Sequence, residues 1–396
     1  MKDIFSDLPL QREDILARIA EKLQLDNTRK VRMESAYAAL SQIIHEDQGF
    51  FKDLQIDIYA QGSVPIGTTV KPFRGDEFDL DIVIHIKSPY HLHSPAQIYD
   101  ALLKKLENDG RYSHMVEKKR RCVRLNYEGD FHMDILPGCI IIITDEYNLK
   151  VPDRELREWT NTNPKGYIEW FLNISNQANG PVLEGYYKNL MQLRAEIQDL
   201  PEDNFYKKKP LQRGVQLIKR YRDIYFEQNP DFATSSIIIT TLAAHFYKGE
   251  NGIFNTIENI LASILSETTN KQNIGQRLKV LNPVNNQEDF SEKWDSEPEL
   301  YKHFIAFVTD LYTKWQDLKR DFRLSASTYE KIFGESIYKG AIKEQIEKLG
   351  SVNNNPLIKA GSLIIGNNAR TDRQGNINQT NGTLNEKHRD FGDRKN

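Results

Sequence analysis

Glu77-Phe78-Asp79-Leu80-Asp81-Ile82-Val83-Ile84-His85-Ile86 sets apolar side chains at Phe78, Leu80, Ile82, Ile84 and Ile86, and this period of two predicts a β-strand. Side chains two apart on a strand share a face, so Asp79 and Asp81 project together while Leu80 and Ile82 point into a core. Two hard oxygen ligands at this spacing suit Mg²⁺, which takes carboxylates, nucleotide phosphates and water in preference to an all-protein cage. Alone the pair is weak, because any edge strand with its acids in water has the same spacing.

The flanking sequence gives the pair its context. Upstream, an alternating stretch at 56–60 runs into Gln61-Gly62-Ser63 and then Gly67-Thr68-Thr69. Glycine lets the backbone approach a phosphate closely, and the amides with the serine hydroxyl can donate to its oxygens. Downstream, Phe131-His132-Met133-Asp134-Ile135-Leu136-Pro137 places Asp134 at the polar position of a further alternating strand. Three carboxylates from neighbouring strands allow two divalent ions, one gripping a triphosphate and one activating a hydroxyl for in-line attack on the α-phosphate. His132 shares the face of Asp134 and reads as a packing or hydrogen-bonding residue, not a ligand.

Around this centre, residues 11–45 carry apolar side chains at helical spacing and predict two helices broken near Asp26-Asn27. Residues 94–108 predict a helix capped by Ser94 with Pro95 in its first turn. Two strands are expected over 116–126 and 131–143, joined around Glu128-Gly129-Asp130. After Asp145 strand signals largely stop, and 163–350 is dominated by amphipathic helices. The expected organisation is N-terminal helices packing on both lobes (1–48), a catalytic core (49–160), a helical lobe (161–350) and a flexible C-terminal tail (351–396) rich in Asn, Gly, Thr, Arg and Asp.

Composition excludes several classes of function. With 53 Lys and Arg against 56 Asp and Glu in 396 residues, the net charge of −3 is not that of a polycation holding nucleic acid by counterion release, so no nucleic acid is expected to be required. The basic clusters 118–121 and 207–209 read as solvated surface. The longest aliphatic run, 140–143, is far short of the ~20 residues of a bilayer span, so no membrane association is expected. Two cysteines cannot build a disulfide framework, and the first seven residues have early acids without an apolar stretch, which points to a cytoplasmic protein.

The glycine-serine turn at Gly62-Ser63, the Asp79-Leu80-Asp81 pair and the distal Asp134 match the nucleotidyltransferase signature. The wording Gly62-Ser63-Val64-Pro65-Ile66-Gly67-Thr68-Thr69-Val70 with 77–83 resembles the bacterial cyclic-oligonucleotide synthases, relatives of cyclic GMP-AMP synthase and the oligoadenylate synthases. Further agreement lies at 163–171, 215–223, Asn282-Pro283 and Glu288-Asp289-Phe290 before Trp294, so the resemblance covers roughly residues 10 to 350.

The resemblance implies an α+β, two-lobed nucleotidyltransferase fold, with a mixed-sheet catalytic lobe and a helical lobe. It implies that Asp79, Asp81 and Asp134 hold two Mg²⁺ ions, with Mn²⁺ as a substitute, and that Gln61 and Ser63 contact the donor nucleotide. Lys219 falls at the family's triphosphate-binding lysine and Ser236 at its phosphate-binding serine; Ile237 stands where animal relatives have a base-stacking tyrosine. The implied reaction joins nucleoside triphosphates, ATP or GTP or both, into a cyclic di- or trinucleotide second messenger with loss of pyrophosphate, in bacterial antiphage (CBASS) signalling. The implied partners are the triphosphates and a regulatory protein engaging the C-terminal tail. A linear RNA-tailing or small-molecule-modifying transferase and a catalytically silent nucleotide sensor are the alternatives; the intact acids speak against the second.

Overall fold

A computed structural model describes residues 8–74, 77–178, 208–320 and 326–352, with six further residues in three two-residue strands near the C-terminus. The chain divides at Ile337/Tyr338 into two compact units.

The first unit begins with two helices, α1 (Leu8–Lys22) and α2 (Asn27–His45), separated where the sequence predicts: the Asp26 carboxylate accepts from the Arg29 N–H at 2.9 Å and caps α2. Then come β1 (Ile56–Gln61), β2 (Phe78–Pro89) and α3 (Pro95–Glu107), which starts with a full capping box between Ser94 and Gln97. They are followed by β3 (Val116–Lys118), β4 (Val123–Tyr127), β5 (Phe131–Ile140), β6 (Leu149–Asp153) and β7 (Glu158–Thr162). The sheet order is β1-β2-β5-β4-β3, with β6 paired to the end of β5 and β7 to β6; β2 and β5 run parallel and the other pairs antiparallel. This is the expected mixed sheet.

Two strand expectations need correction. The single strand expected over 116–126 is two, because Arg120 and Arg121 leave the sheet to reach the fully buried carboxylate of Asp153, at 2.7 and 3.2 Å. Strands also continue past Asp145 as β6 and β7. The same contacts account for the basic cluster: Lys118 pairs with Glu107, Lys119 with Glu117, and both arginines with Asp153.

One face of the sheet is the core. Leu80, Ile82, Ile84, Ile86, Leu125, Met133 and Ile135 pack there against Leu40, Ile43 and Ile44 of α2 and Ile98, Leu102 and Leu106 of α3. Alternation leaves the polar residues of β2 and β5 on the opposite face.

The helical part comprises α4 (Pro164–Ser175), α5 (Pro210–Tyr225), α6 (Ser236–Phe246), α7 (Ile253–Asn273), a short α8 (Lys293–Ser296), α9 (Pro298–Arg320), α10 (Ala326–Phe333) and α11 (Glu335–Val352), with a ribbon of β8 (Leu281–Asn282) and β9 (Asn285–Asp289) between α7 and α8. Helix α5 joins the two lobes. Along one of its sides Gln212 donates to the Ile66 carbonyl at 2.8 Å, Gln216 to Thr69 at 2.6 Å, Lys219 to Thr68 at 3.3 Å and Arg220 to Lys71 at 2.8 Å. Spacings of four, seven and eight put these side chains on one helix face, where they hold the β1–β2 loop. Lys219 and Arg220 are therefore buried, at 5% and 3% exposure, and do not form a solvated face.

In the second unit, β10 (Arg370–Thr371) pairs antiparallel with β11 (Ile377–Asn378) and β12 (Thr383–Leu384). The expectation of a flexible tail over 351–396 otherwise falls outside the described residues. Cys122 and Cys139 are free thiols, and among the described residues no helix is long and apolar enough to cross a membrane.

Candidate active site

Strand register sets four side chains in one row across the polar face. Gln61 of β1 pairs with Asp81 of β2, Asp81 with Asp134 of β5, and Asp134 with Arg124 of β4. Neighbouring strands lie about 4.8 Å apart, so both carboxylates and the guanidinium meet within a few ångströms. Asp79 lies two residues from Asp81 on the same face, toward solvent. A cleft of about 920 Å³ opens over this row, between the sheet and α5 and α6. Gln61, Gly62, Ser63, Asp79, Asp81, Asp134, Lys219 and Ser236 all line it, so the structure brings together every residue singled out from the sequence.

The turn after β1 is shaped by the acid beside it. Gly62 has φ +66°, and a Cβ there would lie 2.2 Å from Asp81 Oδ2. The loop closes with the Thr68 N–H donating to the Ser63 carbonyl at 2.9 Å, and the Ser63 and Thr69 hydroxyls are 3.0 Å apart. Burial, with Asp79 and Asp134 adding like charge, pushes the Asp81 carboxyl up to about 7. Burial likewise pulls the Lys219 ammonium down to about 7, with Arg222 adding to the effect and the acids opposing it. Its Nζ donates to the Thr68 hydroxyl at 3.2 Å.

Two arginines that the motif did not single out belong to this constellation. Arg124 donates from Nε to Asp134 Oδ1 at 2.6 Å and from Nη2 to Asp134 Oδ2 at 2.8 Å, and Nη2 is also 3.3 Å from Asp79 Oδ1. Its signal was present in sequence: a turn centred on Gly129 places 124 opposite 134. Arg222 donates to the Ser236 hydroxyl at 2.6 Å, and its spacing of three from Lys219 on a helix puts both on one side. His132 bonds Glu77 and lies 3.6 Å from Asp79, in keeping with its reading as a hydrogen-bonding residue.

The donor set suits a hard divalent cation: three carboxylates, one of them destabilised by its own neighbours. Among the described residues no three such side chains form a ready-made cation cluster, and between Asp79 and Asp134 the positive charge is supplied by Arg124.

Residues 11–175 match the model of the Second Messenger Oligonucleotide or Dinucleotide Synthetase domain. A c-di-GMP synthase of Roseivirga ehrenbergii is 42% identical over 358 residues, which is 89% of this chain and 92% of that protein. The chain belongs to the cyclic-oligonucleotide synthases. This synthase is thus a nucleotidyltransferase that joins nucleotides into cyclic products. It is also 25% identical over 335 residues to the cyclic dinucleotide synthase CdnG of Bradyrhizobium diazoefficiens, covering 78% of this chain and 75% of that one. The solved structure of that CdnG in complex with GTP shares the fold, at a TM-score of 0.68 and 20% identity over 84% of this chain and 98% of the other. So does CdnC in the E. coli MS115-1 CdnC:HORMA-deltaN complex, at 0.58 and 14% over 82% and 97%.

Proposed function

We propose that this synthase joins two molecules of GTP into cyclic di-GMP, releasing two pyrophosphates. The observation that carries the choice of base is the 42% identity to the Roseivirga c-di-GMP synthase along nine-tenths of both chains. The cleft geometry supports the chemistry. In each half of the reaction a ribose hydroxyl oxygen gives up its proton to solvent and bonds to an α-phosphorus, the bond from that phosphorus to the β-phosphate oxygen breaks, and pyrophosphate leaves with the electron pair.

The Gly62-Ser63 turn, Lys219, and Ser236 with Arg222 would bind and orient the donor triphosphate, and Gln61 would contact the donor nucleotide. Asp79, Asp81 and Asp134 would hold two divalent cations, Mg²⁺ or in its place Mn²⁺. When bound, these ions supply charge neutralisation of the triphosphate and activation of the hydroxyl. Lys219 and Arg222 would meet the charge that develops on the departing pyrophosphate, and positive charge held at that place stabilises the transition state more than the bound substrate.

The product is a second messenger in this reading, made in the cytoplasm for antiphage (CBASS) signalling. A regulatory protein engaging the residues after 350 is part of the same proposal and rests on likeness to the family. Incubating the purified protein with GTP, ATP and both, in Mg²⁺, and identifying products by mass and phosphatase resistance is the test. Phosphatase-resistant cyclic di-GMP from GTP alone is the expected result; adenine-containing or linear products overturn the reading.

A further inference from the structure

Past the row of acids the cleft continues over a different kind of surface. Along β5, Leu136 follows Asp134 on the same face about 6.6 Å further on, and Val151 of β6 lies against Gly138, the next residue of that face; Leu136 and Val151 both line the cleft. Tyr167 and Ile168 of α4 and Phe290 line it too, and Phe290 meets the Tyr167 ring edge-on at 6.0 Å. Asn282, Glu288 and Arg121 line the same cleft and give this apolar slot a polar wall.

That wall is held rigidly. The Asn282 side-chain carbonyl accepts from the Val284 N–H at 3.1 Å, which aims its amide at Glu288 Oε2, 2.8 Å away. Arg121, anchored at 3.2 Å on the buried Asp153, holds Nη1 3.9 Å from Glu288 Oε1. Burial pushes the Glu288 carboxyl up, while the Asn282 hydrogen bond and the Arg121 charge oppose that shift. Each Glu288 oxygen has more than one lone pair and Asn282 engages only one of them, so the side chain can accept further hydrogen bonds in the cleft it shares with those apolar residues, a lining that suits a flat ring.

We propose that Glu288 selects guanine in the acceptor nucleotide, its carboxylate accepting from the guanine N1–H and 2-amino group. Asn282 and Arg121 are positioning residues that hold the carboxylate. Adenine in the same slot turns the lone pair of N1 toward the carboxylate and has no 2-amino group, leaving a buried acceptor facing an acceptor. This rests on the GTP reading and adds the residue that enforces it at the acceptor end.

The test separates acceptor from donor with α-labelled 2′,3′-dideoxy-GTP, which has no ribose hydroxyl to attack with and can only donate. GTP, ITP and ATP are then compared as acceptors; ITP keeps N1–H and lacks the 2-amino group. Wild type should prefer GTP over ITP by on the order of tenfold to a hundredfold in kcat/KM, as one charge-assisted hydrogen bond implies. In Glu288→Gln, whose carboxamide can donate to adenine N1, the GTP-to-ITP ratio should fall toward one and transfer to ATP should rise, with the dideoxy-GTP KM and the melting temperature unchanged. Equal loss for all three acceptors would make Glu288 structural and overturn the assignment. A wild type that makes cyclic di-GMP with the same ratios as Glu288→Gln overturns the assignment alone, whereas a wild type that uses ATP and not GTP as acceptor overturns the cyclic di-GMP reading with it.

Discussion

The guanidinium of Arg124 grips the carboxylate of Asp134 across the β4–β5 pair with two parallel hydrogen bonds, of 2.6 and 2.8 Å, and reaches Asp79 with the same Nη2. Those hydrogen bonds hold the Arg124 pKa above its ordinary value, so the cation is permanent. A fixed positive charge thus sits between two of the three acids assigned to divalent ions, and any ion entering must compete with it.

Replacing Arg124 should therefore have two opposed effects. Arg124→Met leaves Asp134 without its bidentate partner and should destabilise the nucleotide-free protein by about 1–3 kcal/mol. It should also tighten Mn²⁺ binding to that protein by on the order of tenfold, through removal of a repelling charge. Titration of free Mn²⁺ by electron paramagnetic resonance reads the second effect independently of turnover. Equal Mn²⁺ affinity in both proteins would mean that the guanidinium is no competitor.

Gly62 and Gly129 form a natural pair for separating strain from collision. Both have positive φ, +66° and +74°, so an alanine is strained at either, costing about 1 kcal/mol or more. Only at Gly62 does the added Cβ meet a neighbour, Asp81 Oδ2 at 2.2 Å, whereas nothing lies within 4 Å at Gly129. Gly62→Ala should lose product formation by at least about a hundredfold, as displacement of a reacting group by an ångström does. Gly129→Ala should lose stability and keep its activity. Denaturant melts and product yield on the two variants make the comparison.

The acids were legible because alternation is a local property. Asp79 and Asp81 must share a face if 78–86 is a strand, and a turn at 128–130 fixes which residues flank Asp134. Arg124 follows from the same symmetry, yet its role emerges only once β2 is known to pair with β5. Strand β7, Glu-Trp-Thr-Asn-Thr, has no apolar alternation because Trp159 is its one large apolar side chain, packed at the edge of the core, and β6 carries Pro152, which weakens the strand signal. The burial of Lys219 and Arg220 was illegible for a related reason. Charges at 219, 220 and 222 look solvated unless a loop 150 residues earlier lies against the helix.

Lys219 should give GTP binding a pH dependence of definite sign. In the free protein burial holds its pKa down to about 7, and a bound triphosphate favours the charged form. Binding above pH 7 then takes up a proton, and affinity measured without divalent ions should fall by up to about tenfold per pH unit between about 7 and 9. Lys219→Arg, charged throughout, should show no such slope, and Lys219→Ala should bind weakly at every pH. Calorimetry in two buffers of different ionisation enthalpy detects the proton directly; no proton uptake by wild type at pH 8 would remove Lys219 from the triphosphate site.

Asp134 distinguishes the two ends of the cleft. It lies in one row with Asp81, and on its own strand the next residue of the same face is Leu136, the floor of the slot assigned to the acceptor base. Asp79 and Asp81 lie beside the turn assigned to the donor. Asp134→Asn should stop chemistry, since the carboxamide brings no charge to the hydroxyl that attacks, and should leave divalent-dependent GTP binding largely intact because the turn, Lys219 and two acids remain. The asparagine can still accept one hydrogen bond from Arg124, so the stability lost should be about 1–3 kcal/mol and the fold retained. If Asp134 only fastened β4 to β5, activity would instead decline in proportion to the lost stability and return on cooling. Affinity for GTP, melting temperature and product yield measured on one preparation of the variant decide between these: inactive, folded and binding supports the assignment, whereas an active variant, or a folded one that no longer binds GTP, overturns it.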